Sequence, residues 1–149
     1  MELNTFGALI RFAMDLERRA GEFYRNLASG VQHASAANLF SEHVREYARR
    51  LRLLEDIRQR NINEVLLEPI SGMDSEPYVF ATNFDGRLDI AVALDAALDV
   101  ETKIREFYNN SLQAAGLVLG EVGRVFRRFS DENREREKAL SSLRSIPTT

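Results

Sequence analysis

The chain has 149 residues, 44% of them hydrophobic and 29% charged, with 3 Pro, 8 Gly and a formal net charge of −3. That is enough for one domain with a continuous core, in the composition of a helix-rich globular protein. The absence of cysteine excludes disulfides, zinc ribbons, iron–sulfur clusters and thiol catalysis, and the interleaved charges offer neither a basic stripe for nucleic acid nor a polybasic membrane patch.

No apolar run approaches the roughly 18 residues that a membrane span needs. The start, Met1-Glu2-Leu3-Asn4, lacks the basic-then-apolar layout of a signal peptide, so a cytoplasmic protein is expected. Only two histidines are present, His33 and His43, and any histidine-dependent mechanism must use one of them.

Apolar residues at alternating four- and three-residue spacing predict four helices, at about 4–29, 35–61, 87–114 and 118–145. In the first, the seam runs through Phe6, Ile10, Ala13, Glu17, Ala20, Tyr24 and Leu27. Phe12, Leu16, Arg19 and Phe23 form a further stripe that reads equally as a second core face or a subunit contact. Gly30 suits a left-handed helix end and Ser35 an N-cap, which predicts a tight hairpin. The second seam passes through Phe40, Val44, Tyr47, Leu51 and Leu54.

Residues 63–86 hold Pro69, Gly72 and Pro77 among several Asp and Asn, so they form a long connection rather than a helix. The third seam is Ala91, Leu94, Leu98, Glu101, Arg105, Tyr108 and Leu112; Gly116 and Gly120 bracket a second short turn. The fourth is Val122, Phe126, Phe129, Asn133, Arg136, Leu140 and Leu143. Two hairpins joined by one long crossover make an all-α bundle of ferritin-like connectivity, a single domain over 1–149.

The halves repeat. Glu17 and Tyr24 match Glu101 and Tyr108 at an offset of 84 residues, and Phe40, Tyr47, Arg50 and Leu54 match Phe126, Asn133, Arg136 and Leu140 at an offset of 86. Each seam thus carries polar residues near its middle, where a bundle buries Leu or Ile. Buried polar groups are costly unless paired, so four at one level suggest a built site. Tyr24 and Tyr108 are expected as core aromatics with bonded hydroxyls rather than as radicals.

These residues resemble the ferritin-like and rubrerythrin-like di-iron carboxylate family, which places a Glu seven residues before a Tyr on helices 1 and 3 and a Glu-x-x-His on helices 2 and 4. The resemblance implies that Glu17 and Glu101 stand at terminal carboxylate positions. Registered by Leu39-Phe40 and by Phe126, the two Glu-x-x-His pairs fall on Tyr47/Arg50 and Asn133/Arg136. Two carboxylates and both imidazoles are missing, and two guanidinium groups that never deprotonate stand in their place.

The resemblance therefore implies a degenerate site with no metal and no cofactor, in which Arg50 faces Glu17 and Arg136 faces Glu101. The expected role is a non-catalytic scaffold, regulatory or partner-binding protein; a homodimer and an unidentified protein partner are expected from the resemblance and the extra stripe. The alternative is a di-iron or di-manganese oxidase, peroxidase or ferroxidase with rearranged ligands, drawn from Glu22, Glu46, Glu132 or Glu135. His33 and His43 miss the ligand positions and are expected at the surface or hairpin end.

Overall fold

The computed structural model describes residues 1–60 and 68–145. In chain order they form β1 (Glu2–Thr5), α1 (Phe6–Gly30), α2 (Ala34–Arg60), β2 (Pro69–Asp74), a 3-10 turn (Glu76–Tyr78), α3 (Ile90–Leu119) and α4 (Glu121–Arg144). The expected end of the second helix at 61 and the first residues of the connection lie outside the described residues. Helices α1 and α2 make one hairpin, α3 and α4 the other; α1 packs beside α3 and α2 beside α4.

Local chemistry explains the helix ends, not always as the sequence suggested. The Thr5 hydroxyl accepts from Ala8 N at 3.1 Å and starts α1. At the head of α2, His33 Nδ1 accepts from Ala36 N at 3.1 Å, in the place expected of Ser35, which lies within the helix. Gly30 is not a left-handed cap, since only Gly86 and Gly120 have positive φ among the described residues. Its lack of a side chain serves a close approach: its carbonyl accepts from Leu88 N at 3.1 Å, and an added Cβ would sit 3.2 Å from Leu88 Cδ1. Helix α3, capped by Asp89, runs through Gly116 to Leu119, so Gly120 alone, at φ 51°, forms the turn into α4.

From Pro69 onward the connection holds a strand and a 3-10 turn that its Pro and Gly content does not suggest. Strands β1 and β2 pair antiparallel, with Leu3 opposite Met73 and both buried. After β2 the chain crosses the α1–α3 face. Phe80 and Phe84 pack edge-on against Phe23 at 6.0 and 5.4 Å, and Tyr78 against Phe107 at 5.4 Å. Phe12 meets Phe107 at 5.3 Å. The Phe12/Phe23 stripe is therefore a second core face, covered within the chain. Arg19 departs from it, pairing with Asp15 at the surface at 3.0 Å.

The core seams of α1 and α4 run as the spacing predicts. Those of α2 and α3 are rotated by one residue at alternate positions. In α2, His43 is buried where Val44 had been expected, Arg50 is buried as the site reading expected while Leu51 is only partly so, and Ile57 extends the stripe beyond Leu54; in α3, Ala97 and Ile104 replace Leu98 and Arg105. Arg105 instead lies outside the core, its Nε 2.8 Å from Glu137 Oε2.

Candidate functional site

Midway along the bundle, six polar residues meet in the core. Glu17 from α1, Tyr47 and Arg50 from α2, Glu101 from α3, and Asn133 and Arg136 from α4 are all at most 5% exposed. The i, i+3 spacing of Tyr47/Arg50 and Asn133/Arg136 puts both members of each pair on one helix face. Tyr24 and Tyr108 complete the cluster, both fully buried.

Arg50 and Glu17 form the first pair. Arg50 Nη2 and Nε donate to the same oxygen, Glu17 Oε1, at 2.7 and 3.1 Å, and the Tyr108 hydroxyl donates to it too. This is not the fork over two oxygens that Arg and carboxylate often form. Glu17 Oε2 is left buried without a partner. The remaining Arg50 donors reach Asn133 Oδ1 at 3.2 Å and the Phe129 carbonyl at 3.4 Å, and its guanidinium carbon lies 4.2 Å from the Phe129 ring centroid.

Glu101 is better satisfied. Its Oε1 accepts from Asn133 Nδ2 at 2.8 Å and Arg136 Nε at 2.9 Å; its Oε2 accepts from Tyr24 at 2.7 Å and Tyr47 at 2.6 Å. Asn133 Nδ2 also donates to the Tyr47 hydroxyl at 3.0 Å. Arg136 continues outward, Nη1 donating to Glu46 Oε2 at 2.6 Å, while its Nη2 has no partner.

The electrostatics follow from this asymmetry. Burial is the largest influence on both carboxyls and pushes both up. At Glu17 it prevails over Arg50 and Tyr108, and the carboxyl lies above its ordinary 4.5. At Glu101 the opposing pull of Arg136, His43, Tyr47 and Tyr24 prevails, and the carboxyl lies below 4.5. Burial raises Tyr24, Tyr47 and Tyr108 well above the usual phenol range, so they stay protonated donors. Burial opposes the charge of Arg50, but Glu17 outweighs it and the guanidinium stays ionised.

Could these residues hold a dinuclear metal centre? The donor set does not fit. Two carboxylates face two guanidinium groups, and Arg50 Nη2, 2.7 Å from Glu17, stands where a cation would have to approach. Nor do Glu22, Glu46, Glu132 and Glu135 gather as substitute ligands. Glu22 is exposed on α1, Glu46 is bound by Arg136, Glu132 lies 3.5 Å from Arg49 and 3.6 Å from Arg50, and Glu135 pairs with Lys138 at 3.2 Å. Among the described residues no group of three or more His, Asp or Glu is placed to hold a metal ion.

Of the two histidines, His43 lies elsewhere than expected. His43 is 2% exposed rather than superficial, edge-on to the Tyr24 ring at 4.6 Å. Burial holds its imidazole below the usual range, against the upward pull of Glu101. The three-and-four spacing of Phe40, His43, Tyr47, Arg50, Leu54 and Ile57 carries this signal. His33, the α2 cap, has the hairpin-end role expected of it.

No protein-family model matches the sequence, and no curated protein is recognisably similar to it. The solved structures do contain similar chains. A candidate ferritin-like diiron-carboxylate protein from Thermotoga maritima superposes with a TM-score of 0.76 at 16% identity, over 97% of each chain. A hypothetical protein from Pyrococcus furiosus superposes with a TM-score of 0.64 at 18% identity, over 94% of this chain and 88% of that one. At such identities the likeness concerns architecture, and the architecture is that of the ferritin-like all-α four-helix bundle.

Proposed function

We propose that the chain is a ferritin-like bundle in which Glu17, Tyr47, Arg50, Glu101, Asn133 and Arg136 occupy the positions of a dismantled dinuclear metal site, and that it serves as a non-catalytic scaffold or regulatory, partner-binding protein. The observation that carries this is the internal charge balance of the cluster. Each buried carboxylate is met by a guanidinium, at 2.7 Å for Glu17 and 2.9 Å for Glu101. A redox-active pair of divalent metals needs several anionic ligands with open positions. Here the anions are already neutralised by groups that cannot leave.

The homodimer rests on the resemblance alone, because the stripe that suggested it is covered by Phe80, Phe84 and Phe107. The test of the main reading is metal analysis of purified protein after dialysis against each of iron, manganese and zinc. Content far below one equivalent at the bundle centre is expected. Stoichiometric retention that is lost in Glu17→Gln would overturn the reading.

A further inference from the structure

The two sides of the bundle are held together differently. On the α1–α3 side Phe12 packs on Phe107, and the connection is tied to both helices: Asn26 Nδ2 donates to the Thr82 carbonyl at 2.6 Å and Asn110 Nδ2 to the Tyr78 hydroxyl at 2.8 Å. On the α2–α4 side the packing is sparser, and a cleft of about 640 Å³ lies between the helices. The α2 rings of Phe40 and Tyr47 pack on Tyr24 of α1, and the α4 rings of Phe126 and Phe129 on Tyr108 of α3; among the described residues no ring contact bridges α2 to α4. Polar groups cross this seam instead, in the hydrogen bonds of Asn133 with Tyr47 and Arg50 and in ion pairs made by Arg49, Arg50, Arg60 and Arg136.

Two of these pairs are related by the repeat. Glu46 and Arg50 on α2 match Glu132 and Arg136 on α4 at the offset of 86 residues. Each carboxylate stands one turn before its own helix's arginine, yet it meets the arginine of the other hairpin. Glu46 Oε2 lies 2.6 Å from Arg136 Nη1, and Glu132 Oε1 lies 3.6 Å from Arg50 Nη1. The first pair is hydrogen-bonded. The second is half engaged, because Glu132 Oε1 is buried without a hydrogen-bond partner, while its other oxygen lies 3.5 Å from Arg49 and 3.9 Å from Arg128. Both carboxylates are the accessible ends of pairs with buried arginines, Glu46 42% and Glu132 28% exposed. The remaining walls carry Glu42 on α2 and Asp131 and Glu135 on α4 against Arg49 and Arg128, an acidic excess that favours separation.

We propose that Glu46 and Glu132 form a reciprocal clasp across the α2–α4 seam, each holding the inner arginine of the other hairpin, and that the hairpins part at this seam about the aromatic α1–α3 side. Parting here wets charged and hydrogen-bonding groups, which water can satisfy, whereas parting the opposite side would expose Phe12, Phe23 and Phe107. Opening uncovers the Arg50 and Arg136 ends of the central cluster, so the clasp controls access to it. The clasp does not depend on the non-catalytic reading of that cluster.

The chain has no cysteine, so paired spin labels can follow the two sides separately. One pair, Arg45→Cys with Arg134→Cys, spans α2 and α4; the other, Arg11→Cys with Glu106→Cys, spans α1 and α3; all four positions are exposed. In pulsed electron paramagnetic resonance of the full chain, Glu46→Ala should add a longer α2–α4 distance, about tenfold more populated than in the parent, the worth of a hydrogen bond between charged groups. Glu132→Ala, which removes the half-engaged pair and two exposed ones, should add less, and the double variant most. The α1–α3 distance should keep its parent value throughout. The proposal is overturned if the α2–α4 distance matches the parent in every variant, or if Glu132→Ala opens the seam as much as Glu46→Ala. It is equally overturned if both sides lengthen together, which would be a general loosening of the bundle.

Discussion

The hydroxyl of Tyr24 donates to Glu101 across the boundary between the two hairpins, at 2.7 Å, and Tyr108 returns the bond in the opposite sense to Glu17. Each arginine meets the central carboxylate of its own hairpin, Arg50 with Glu17 and Arg136 with Glu101, and Arg136 also reaches across to Glu46 on α2 at 2.6 Å. The central arginine–carboxylate pairs close each half, and the two tyrosines, with the Arg136–Glu46 pair, lace the halves together. The reciprocity is what a duplicated hairpin would produce, and it makes the cluster a lock between α1 and α3 as much as a charge-neutral core.

The two tyrosine laces are not of equal worth. Glu101 retains Tyr47, Asn133 and Arg136 if Tyr24 is lost, whereas Glu17 retains Arg50 alone if Tyr108 is lost. Removing a donor from a buried charged acceptor costs about 1–3 kcal/mol. Tyr108→Phe is expected at the upper end of that range and Tyr24→Phe at the lower, measured by urea denaturation at neutral pH. Equal costs would show that the spare donors around Glu101 do not compensate.

Glycines provide a contrast in sign. Gly21 lies inside α1, where an added Cβ would meet nothing within 4 Å, so Gly21→Ala should stabilise by about 0.5–1 kcal/mol through helix propensity. Gly120 sits at φ 51° in the single-residue turn, where a side chain is strained, and Gly120→Ala should cost about 1–3 kcal/mol. Thermal melts of both variants would check the pair. A destabilising Gly21→Ala would mean that the open space above this helix matters to the fold.

Much of the architecture was legible because it rests on periodicity: four long seams, two hairpins and a crossover follow from apolar spacing and from where Gly and Pro fall. The rotated seams of α2 and α3 were harder to read. Val44 and Leu51 are more apolar than His43 and Arg50, so hydropathy favoured the wrong neighbours; Arg50 was legible through the repeat, which matches it to Arg136, and through the resemblance, whereas nothing of that kind marked His43. The β1–β2 pair escaped because four residues of alternating burial, Glu2–Thr5, are too short to separate from the start of a helix. The orphaned oxygen of Glu17 and the outer partner Glu46 depend on rotamers, which no spacing encodes.

Acid and alkali should pull on the two carboxyls in opposite directions. Glu101 lies below its ordinary 4.5, so its contribution is present above that value and is lost as pH falls through its folded pKa. Glu17 lies above 4.5, so its contribution is present below that value and is lost as pH rises through its folded pKa. Carbon NMR of the side-chain carboxyls should therefore find Glu101 titrating below 4.5 and Glu17 above it. Subtracting the stability curve of Glu17→Gln from that of the parent chain should isolate a term that falls with rising pH. A difference that rises with pH would mean that Arg50 and Tyr108 outweigh burial at Glu17.

The Arg50–Glu17 pair itself is open to a double-mutant cycle. Both side chains are fully removed from solvent, with Nη2 2.7 Å from Oε1. The desolvation of such a pair roughly cancels its attraction, so the pair need not add net stability. Removing one partner, however, strands the other's charge in the core, at about 3–5 kcal/mol. Arg50→Met leaves Glu17 with Tyr108 alone; Glu17→Leu leaves Arg50 with Asn133, the Phe129 carbonyl and the more distant Glu132. Arg50→Met is therefore expected to relax partly by protonation of Glu17, whose carboxyl already lies high, and to recover stability in mild acid. Glu17→Leu has no such escape, because a guanidinium does not give up its proton. The double variant should regain most of the loss, for an interaction energy of about 2 kcal/mol or more. Two singles that each cost under about 1 kcal/mol and add in the double would show the side chains to be independent, and the charge-balanced reading of the cluster would fall with them.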